Sequence, residues 1–233
     1  MSDIVNLMNK YLNCQLVIKS KSYRIAELEY YYHTEQHPDP FVHCDPEQKN
    51  ENTFYFHRMH GKGFKEGSFR GVDITFGNSG SYGGLLIRSI LDGVHLIEGP
   101  CLVVNEILKC FSCSTVKEFH AQYLLKNPTM NTTVPDSELY IINTPEERNL
   151  HYSPRVGLKF RQQTATERKY IMAHYRATTV PTLLKKQSVT VKLSDGKPVI
   201  NEIPVDADLT VYNKKPWTVG DLTAIYKLSN QSQ

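Results

Sequence analysis

No stretch of this 233-residue chain reaches the roughly 18 consecutive apolar residues that a membrane-spanning helix needs. The opening MSDIVNLMNKYLN also lacks the basic start and long apolar stretch of a signal peptide. Cysteine is scarce and odd in number, at Cys14, Cys44, Cys101, Cys110 and Cys113. An odd count in an unexported chain points to reduced thiols, so the expected setting is intracellular, cytoplasmic or nuclear. Cys110-Phe-Ser-Cys113 has no second CxxC to complete a zinc site, and we read it as packing. Charge of one sign is not in excess. Lys and Arg total 27 against 24 Asp and Glu, a net +3 with a pI near 8.5. A DNA-binding domain usually has a pI above about 9, so composition permits nucleic acid without arguing for it. There is no internal repeat and no low-complexity tract.

What is present suits one large folded domain with an appendage. Hydrophobic residues make up 40% of the chain, enough for a core, and a 22% charged fraction excludes wholesale disorder. Residues 2–13 repeat Ile4, Val5, Leu7, Met8, Tyr11 and Leu12 at helical spacing. Apolar residues at 15–19 and a strand at 23–32 flank a Lys-Ser-Lys-Ser turn. From 33 to 68 the chain is polar and rich in His, Pro, Asp, Asn and Gly, a length more typical of functional loops than of simple connections. Strands are expected at 69–76 and 84–91, then a helix from Gly99-Pro100, because proline suits a first helical turn. A second helix follows at 115–125, with strands at Leu139–Ile142, Arg155–Phe160 and Lys169–Tyr175. Val189–Leu193 and Pro198–Ile203 flank Asp195-Gly196 as a hairpin, and Thr218–Leu228 reads as a closing helix. These elements give a domain over residues 1–180 and a hairpin-helix extension over 181–233 that packs on it.

The segment Arg24–Tyr31 is the most informative. Glu27 and Glu29 lie on a strand where a neutral core strand carries no carboxylate. Alternation puts Ala26, Leu28 and Tyr30 on one face and Ile25, Glu27, Glu29 and Tyr31 on the other. Further on, Val72, Ile74 and Phe76 share a face and Asp73 points the opposite way, while Arg88 shares a face with Leu86 and Ile90. A guanidinium among such neighbours is costly to bury alone, so Arg88 predicts a carboxylate partner among Glu27, Glu29 and Asp73. By default, two glutamates on an alternating strand are a solvent face.

His33, His37, His43, His57 and His60 crowd one region near Cys44, with His33 and His37 spaced for one helix face. A histidine-rich loop is more often merely polar, and neither a metal nor another cofactor is expected. Lys62, Lys65, Arg70, Arg155, Lys159, Arg161, Arg168 and Lys169 form either a phosphate-binding rim or a solvated surface.

The order of motifs resembles the alkyladenine (3-methyladenine) DNA glycosylase family. The strand Glu27-Leu28-Glu29-Tyr30-Tyr31, the loop Asp39-Pro-Phe-Val-His43 and the glycine-started strand from Gly67 to Phe76-Gly77 each resemble a family motif. So do Leu86-Ile87-Arg88-Ser89, the helix opening at Gly99-Pro100 and the segment Pro154-Arg155-Val156-Gly157-Leu158. Together they span about residues 15–175 in order. The resemblance implies an α+β fold, a curved and mainly antiparallel sheet with flanking helices. It implies a monofunctional, cofactor-free enzyme that flips a damaged purine out of double-stranded DNA and hydrolyses its N-glycosidic bond. Glu29 is then the base that activates water, and Arg88 holds that carboxylate. Tyr31 stacks on the flipped base, with His43 beside it. Asp73 falls where the family has a second stacking tyrosine, and Phe76 where it has a tyrosine that wedges into the DNA. Asp73 then forms a two-carboxylate site with Glu29, a hydrogen-bonding site for a different base, or an ion pair with Arg88 in an inactive relative. Two other functions share these residues: a non-catalytic module that binds nucleic acid or protein, and a hydrolase of free nucleosides or other N-glycosides.

Overall fold

The computed structural model describes residues 2–59, 63–124, 138–144, 146–158, 161, 162, 164–171, 173–184, 191, 192 and 198–200. Its centre is a long antiparallel pair, β2 (Lys21–His33) and β5 (Tyr82–Asp92). On its other edge β2 pairs first with β1 (Cys14–Ile18) and then with β9 (Arg176–Thr178). β5 likewise pairs at its start with β4 (Val72–Thr75) and at its end with β6 (His95–Glu98). β3 (Phe54–Phe56), β7 (Leu139–Asn143) and β8 (His151–Ser153) complete a nine-stranded sheet ordered β3-β4-β5-β2-β1-β7, with β6 and the β8–β9 pair off that path. The protein is α+β, and its antiparallel sheet curls into a half-barrel.

Two bulges explain how β2 and β5 change partners. Ile25 faces Ile90, but Glu27 faces Ser89 and Leu28 faces Ile87. Ala26 is therefore an extra residue on β2, and Arg88 an extra residue on β5. A bulge adds twist and re-aims side chains. Simple alternation is overturned here in two places. Ile25 joins Leu28, Tyr30, Ile87 and Ile90 in the main core, while Ala26 packs with Leu91 and Val180 in a smaller cluster. Arg88 thus parts from Ile90, and Glu27 parts from Ile25.

Helices cover the core face. α1 (Ser2–Leu12) buries Met8, Tyr11 and Leu12, and α2 (Pro100–Cys110) buries Val103, Val104, Ile107 and Leu108. Gly99 precedes α2 with φ 117°, a conformation that favours glycine, and Pro100 opens the helix. The short α3 (Val116–Phe119) is capped by the Thr115 hydroxyl and adds Phe119 to an aromatic cluster with Phe111 and Tyr123.

Other expectations need correction. Residues 155–158 are not a strand, and it is β8, just upstream of them, that pairs with the edge of β9 away from β2. The first three residues of the strand expected at 169–175 instead end α4 (Ala165–Ile171), whose Glu167 carboxylate accepts from the backbone N–H groups of Arg161, Gln162 and Thr164, and residues 173–175 are not a strand. That local capping outweighs the weak alternation of the segment. His33 and His37 share no helix face: His33 ends β2 and bridges to Pro38, while His37 packs edge-on against Tyr170 at 4.9 Å. In the tail, β10 (Val191–Lys192) pairs antiparallel with β11 (Pro198–Ile200). The helix expected at Thr218–Leu228 lies outside the described residues, as do Lys62 and Lys159. Among the described residues, no helix is long and apolar enough to cross a membrane.

Candidate functional site

The sheet face opposite the main core is polar, and the register shows how it is built. Glu29 faces Leu86, Leu86 faces Asp73 and Asp73 faces Tyr55, so β2, β5, β4 and β3 present one lateral row. The next position on β5 is Gly84, which faces Tyr31 on one side and Thr75 on the other. A Cβ at Gly84 would stand 2.5 Å from Asp73 Oδ2. The missing side chain lets Asp73 lean in and leaves space beside the Tyr31 ring. A cavity of about 320 Å³ lies there, within the usual range for small-ligand sites. Tyr31, Phe41 and Leu158 form its apolar walls, and His43, Gln48, His57, Lys65, Asp73 and Arg161 its polar ones.

Behind Tyr31 lies a buried ionic cluster. Glu27 and Glu29 are almost wholly buried, as are Arg88 and Arg176. Glu27 Oε1 takes Arg176 Nε at 2.5 Å and Arg88 Nε at 3.3 Å, and its Oε2 accepts from the Ser89 hydroxyl at 2.5 Å. Arg88 Nη1 lies 3.4 Å from Glu29 Oε1. Glu29 also accepts the Val156 N–H at 2.6 Å on Oε1 and the Tyr31 hydroxyl at 2.9 Å on Oε2. Burial, followed by the Glu29 charge, pushes the Tyr31 hydroxyl well above its ordinary range, so it stays a donor. Burial alone would lower Arg88, but Glu29 and Glu27 outweigh it and hold the guanidinium charged.

The far wall is a second network. His57 Nε2 lies 2.7 Å from Asp73 Oδ1, and the Gln48 amide donates to Asp73 Oδ2 at 3.2 Å. His43 stands edge-on to His57 at 4.4 Å, with Tyr55 and Lys65 at its two ring nitrogens. Asp73 is thus held by His57 and Gln48, and the carboxylates near Arg88 are Glu27 and Glu29.

The structure brings Glu29, Arg88, Tyr31, His43 and Asp73 to one place, the first two behind the cavity and the other three on its wall. Phe76 goes elsewhere. Its ring stacks on Tyr30 at 5.2 Å and Tyr32 at 5.9 Å, against the main core. Alternation from Asp73 agrees with this, since Phe76, just past the end of β4, differs in parity from residue 73 and continues the core face of Val72 and Ile74. Among the basic residues, Lys65 and Arg161 line the cavity. Arg155 is no rim residue, because it is fully buried on Asp39. Arg70 is bound to Glu66, Asn105 and the Ser114 carbonyl. Gln48 and Arg176 carry no motif that would have singled them out, Phe41 lies within the Asp39–His43 motif without a role assigned to it, and His57 was only one of a crowd. The pairing of His57 with Asp73 needed the β3–β4 register. Among the described residues, no group of three or more His, Cys, Asp or Glu is arranged to hold a metal ion.

No family model matches the chain. It is similar to a protein of Acanthamoeba polyphaga mimivirus, at 31% identity over 205 residues, covering 80% of this chain and 88% of the viral one. That identity and coverage place both chains in one family: the chain belongs to the family of uncharacterized protein L759 of Acanthamoeba polyphaga mimivirus.

Proposed function

We propose that the chain is a hydrolase of the alkyladenine-DNA-glycosylase type, which takes a modified purine out of double-stranded DNA and cleaves its N-glycosidic bond. One observation carries this reading above the alternative of an inactive relative. Arg88 pairs with Glu27 and Glu29, so Asp73 is left to line an open cavity beside Tyr31. In an inactive relative, Asp73 would neutralise Arg88 and the cavity would be closed. The resemblance in motif order supports the same reading.

The chemistry follows from the wall groups. A flipped base stacks on the Tyr31 ring, which is sequence-tolerant and worth roughly 1–3 kcal/mol. Its polar edge meets His43, Gln48 and Asp73. Glu29 has no exposed surface, so its carboxylate becomes available only when the Tyr31 hydroxyl leaves Oε2. Stacking of a base on that ring is the event that would move it. Glu29 then takes a proton from water as the water oxygen bonds to the sugar C1′, and the C1′–N bond breaks with its electrons on the base. A cationic alkylated base leaves neutral, with no acid required. Arg88, with Nη1 3.4 Å from Glu29 Oε1, fixes that carboxylate in place.

Base release from duplexes carrying hypoxanthine, ethenoadenine or a methylated purine tests the reading. Glu29→Gln keeps an oxygen to accept the Val156 N–H but cannot accept a proton from water. The expected loss is about a hundredfold, at the lower end of general-base contributions. Release from no duplex, or release that persists in Glu29→Gln, defeats the proposal. Parallel assays on free nucleosides separate it from hydrolysis of the unpolymerised substrate.

A further inference from the structure

Water activation leaves one reactive group in the cavity without a role, the Lys65 amine. The backbone around it is anchored, since Phe64 bridges to Arg58 and the Lys65 N–H donates to the His57 carbonyl at 2.8 Å. The side chain is half-buried on the cavity wall, with Nζ 2.9 Å from His43 Nε2. Among the described residues, Lys65 forms no salt bridge, although Asp73 lies on the same wall. An ordinary surface lysine is solvated and protonated. This one faces a ring nitrogen that can take its proton.

We propose that Lys65 is a nucleophile for the aldehyde of an abasic deoxyribose, which gives the protein a DNA lyase activity at the same pocket. The inference rests on the base-excision reading, because that reaction generates the abasic sugar. In its ring-opened form the sugar exposes an aldehyde at C1′. The Nζ lone pair attacks this carbon, His43 Nε2 returns the proton it took from the amine, the carbonyl oxygen leaves as water, and a protonated imine remains. The imine acidifies C2′. A proton passes from C2′ to His43 Nε2, the C2′–H electrons form the C2′–C3′ double bond, and the C3′–O bond breaks with its electrons on the 3′ phosphate. Water then hydrolyses the imine and restores the amine. No oxidant, reductant or metal is needed.

The surroundings ease deprotonation of the amine. Burial lowers Lys65 from its ordinary value and Arg161 acts in the same direction, while Asp73 opposes them. His43 and His57 are the other titratable groups on that wall.

Borohydride reduction of the imine tests this on a duplex with a preformed abasic site, so that no base release is required. The wild-type protein at neutral pH is expected to give a covalent DNA adduct that mass spectrometry maps to Lys65. Lys65→Arg, with folding checked by its unfolding midpoint, is expected to give at least tenfold less. An adduct undiminished in Lys65→Arg, or mapped to another amine, overturns the proposal even if damaged bases are released. An adduct at Lys65 together with no base release from any damaged duplex keeps the lyase and removes the glycosylase reading.

Discussion

Glu27→Ala is expected to lower the unfolding free energy by about 3–5 kcal/mol, the usual cost of breaking a buried ion pair by removing one partner. Glu27 is 1% exposed, and Arg88 and Arg176 are 9% and 1% exposed. One carboxylate therefore serves two guanidiniums and the Ser89 hydroxyl in a region with little water. The substitution takes from Arg176 the oxygen 2.5 Å from its Nε and leaves Arg88 with Glu29. A lone surface pair would give about 0–1 kcal/mol. Urea unfolding at neutral pH separates the two cases, and a loss under 1 kcal/mol would show that the cluster contributes little. Glu27→Gln keeps two polar atoms of similar shape and should cost less.

The same residue makes a pH prediction. Burial pushes the Glu27 carboxyl up, but Arg176, Arg88 and the Ser89 hydrogen bond outweigh it and leave it below the ordinary carboxylate range. In the unfolded chain a glutamate titrates near about 4.3. The folded value is the lower of the two, so the contribution to stability is complete above the unfolded value and is lost as pH falls through the folded one. Wild-type stability should decline below about pH 4.3 more steeply than that of Glu27→Gln. Parallel acid limbs for the two proteins would contradict this.

Much of this architecture was legible in the residues, for identifiable reasons. α1, α2, β1, β5 and β7 carry strong periodicity or a clear boundary signal such as Gly99-Pro100, and they lie where the pattern puts them, while β4 takes up only residues 72–75 of the strand expected at 69–76. The need of Arg88 for a carboxylate followed from the cost of burying a charge, and both Glu27 and Glu29 supply it. The bulges did not follow. Ala26 and Arg88 break alternation without a glycine or proline to mark them, and only the pairing of two distant strands reveals the extra residues. β3, β8 and β9 are three residues each, too short to show a period, and tertiary pairing holds them. The far wall of the cavity was hidden for the same reason. Asp73 reads alone in sequence, and its partners His57 and Gln48 come from the polar stretch between strands. Gly84 was equally silent, although it makes room for both Asp73 and the cavity.

Asp39→Ala should be about as damaging as Glu27→Ala, and its repair is more instructive. Asp39 and Arg155 are both fully buried and joined by two contacts, at 2.7 and 3.3 Å. Arg155 also donates to the carbonyls of Tyr30 at 3.2 Å and Tyr170 at 3.1 Å, and its guanidinium lies 4.5 Å from the centre of the Tyr31 ring. It thereby ties β2 to the β8–α4 region and backs the ring that lines the cavity. Removing Asp39 leaves that guanidinium in low dielectric with dipoles for company, an expected loss of about 3–5 kcal/mol in unfolding free energy. Removing both charges is a different matter, since apolar residues of similar volume often replace a buried pair at no net cost. The double variant Asp39→Ala with Arg155→Met should therefore recover most of the stability lost in Asp39→Ala. A double variant as unstable as the sum of the two single ones would show that the pair is not coupled. The recovered protein should still be impaired in base release. Val156 follows Arg155 directly and its N–H holds Glu29 Oε1 at 2.6 Å, so a methionine restores packing without restoring the brace behind Tyr31 and Glu29. Stability regained together with full base release would mean that Arg155 acts on the fold alone.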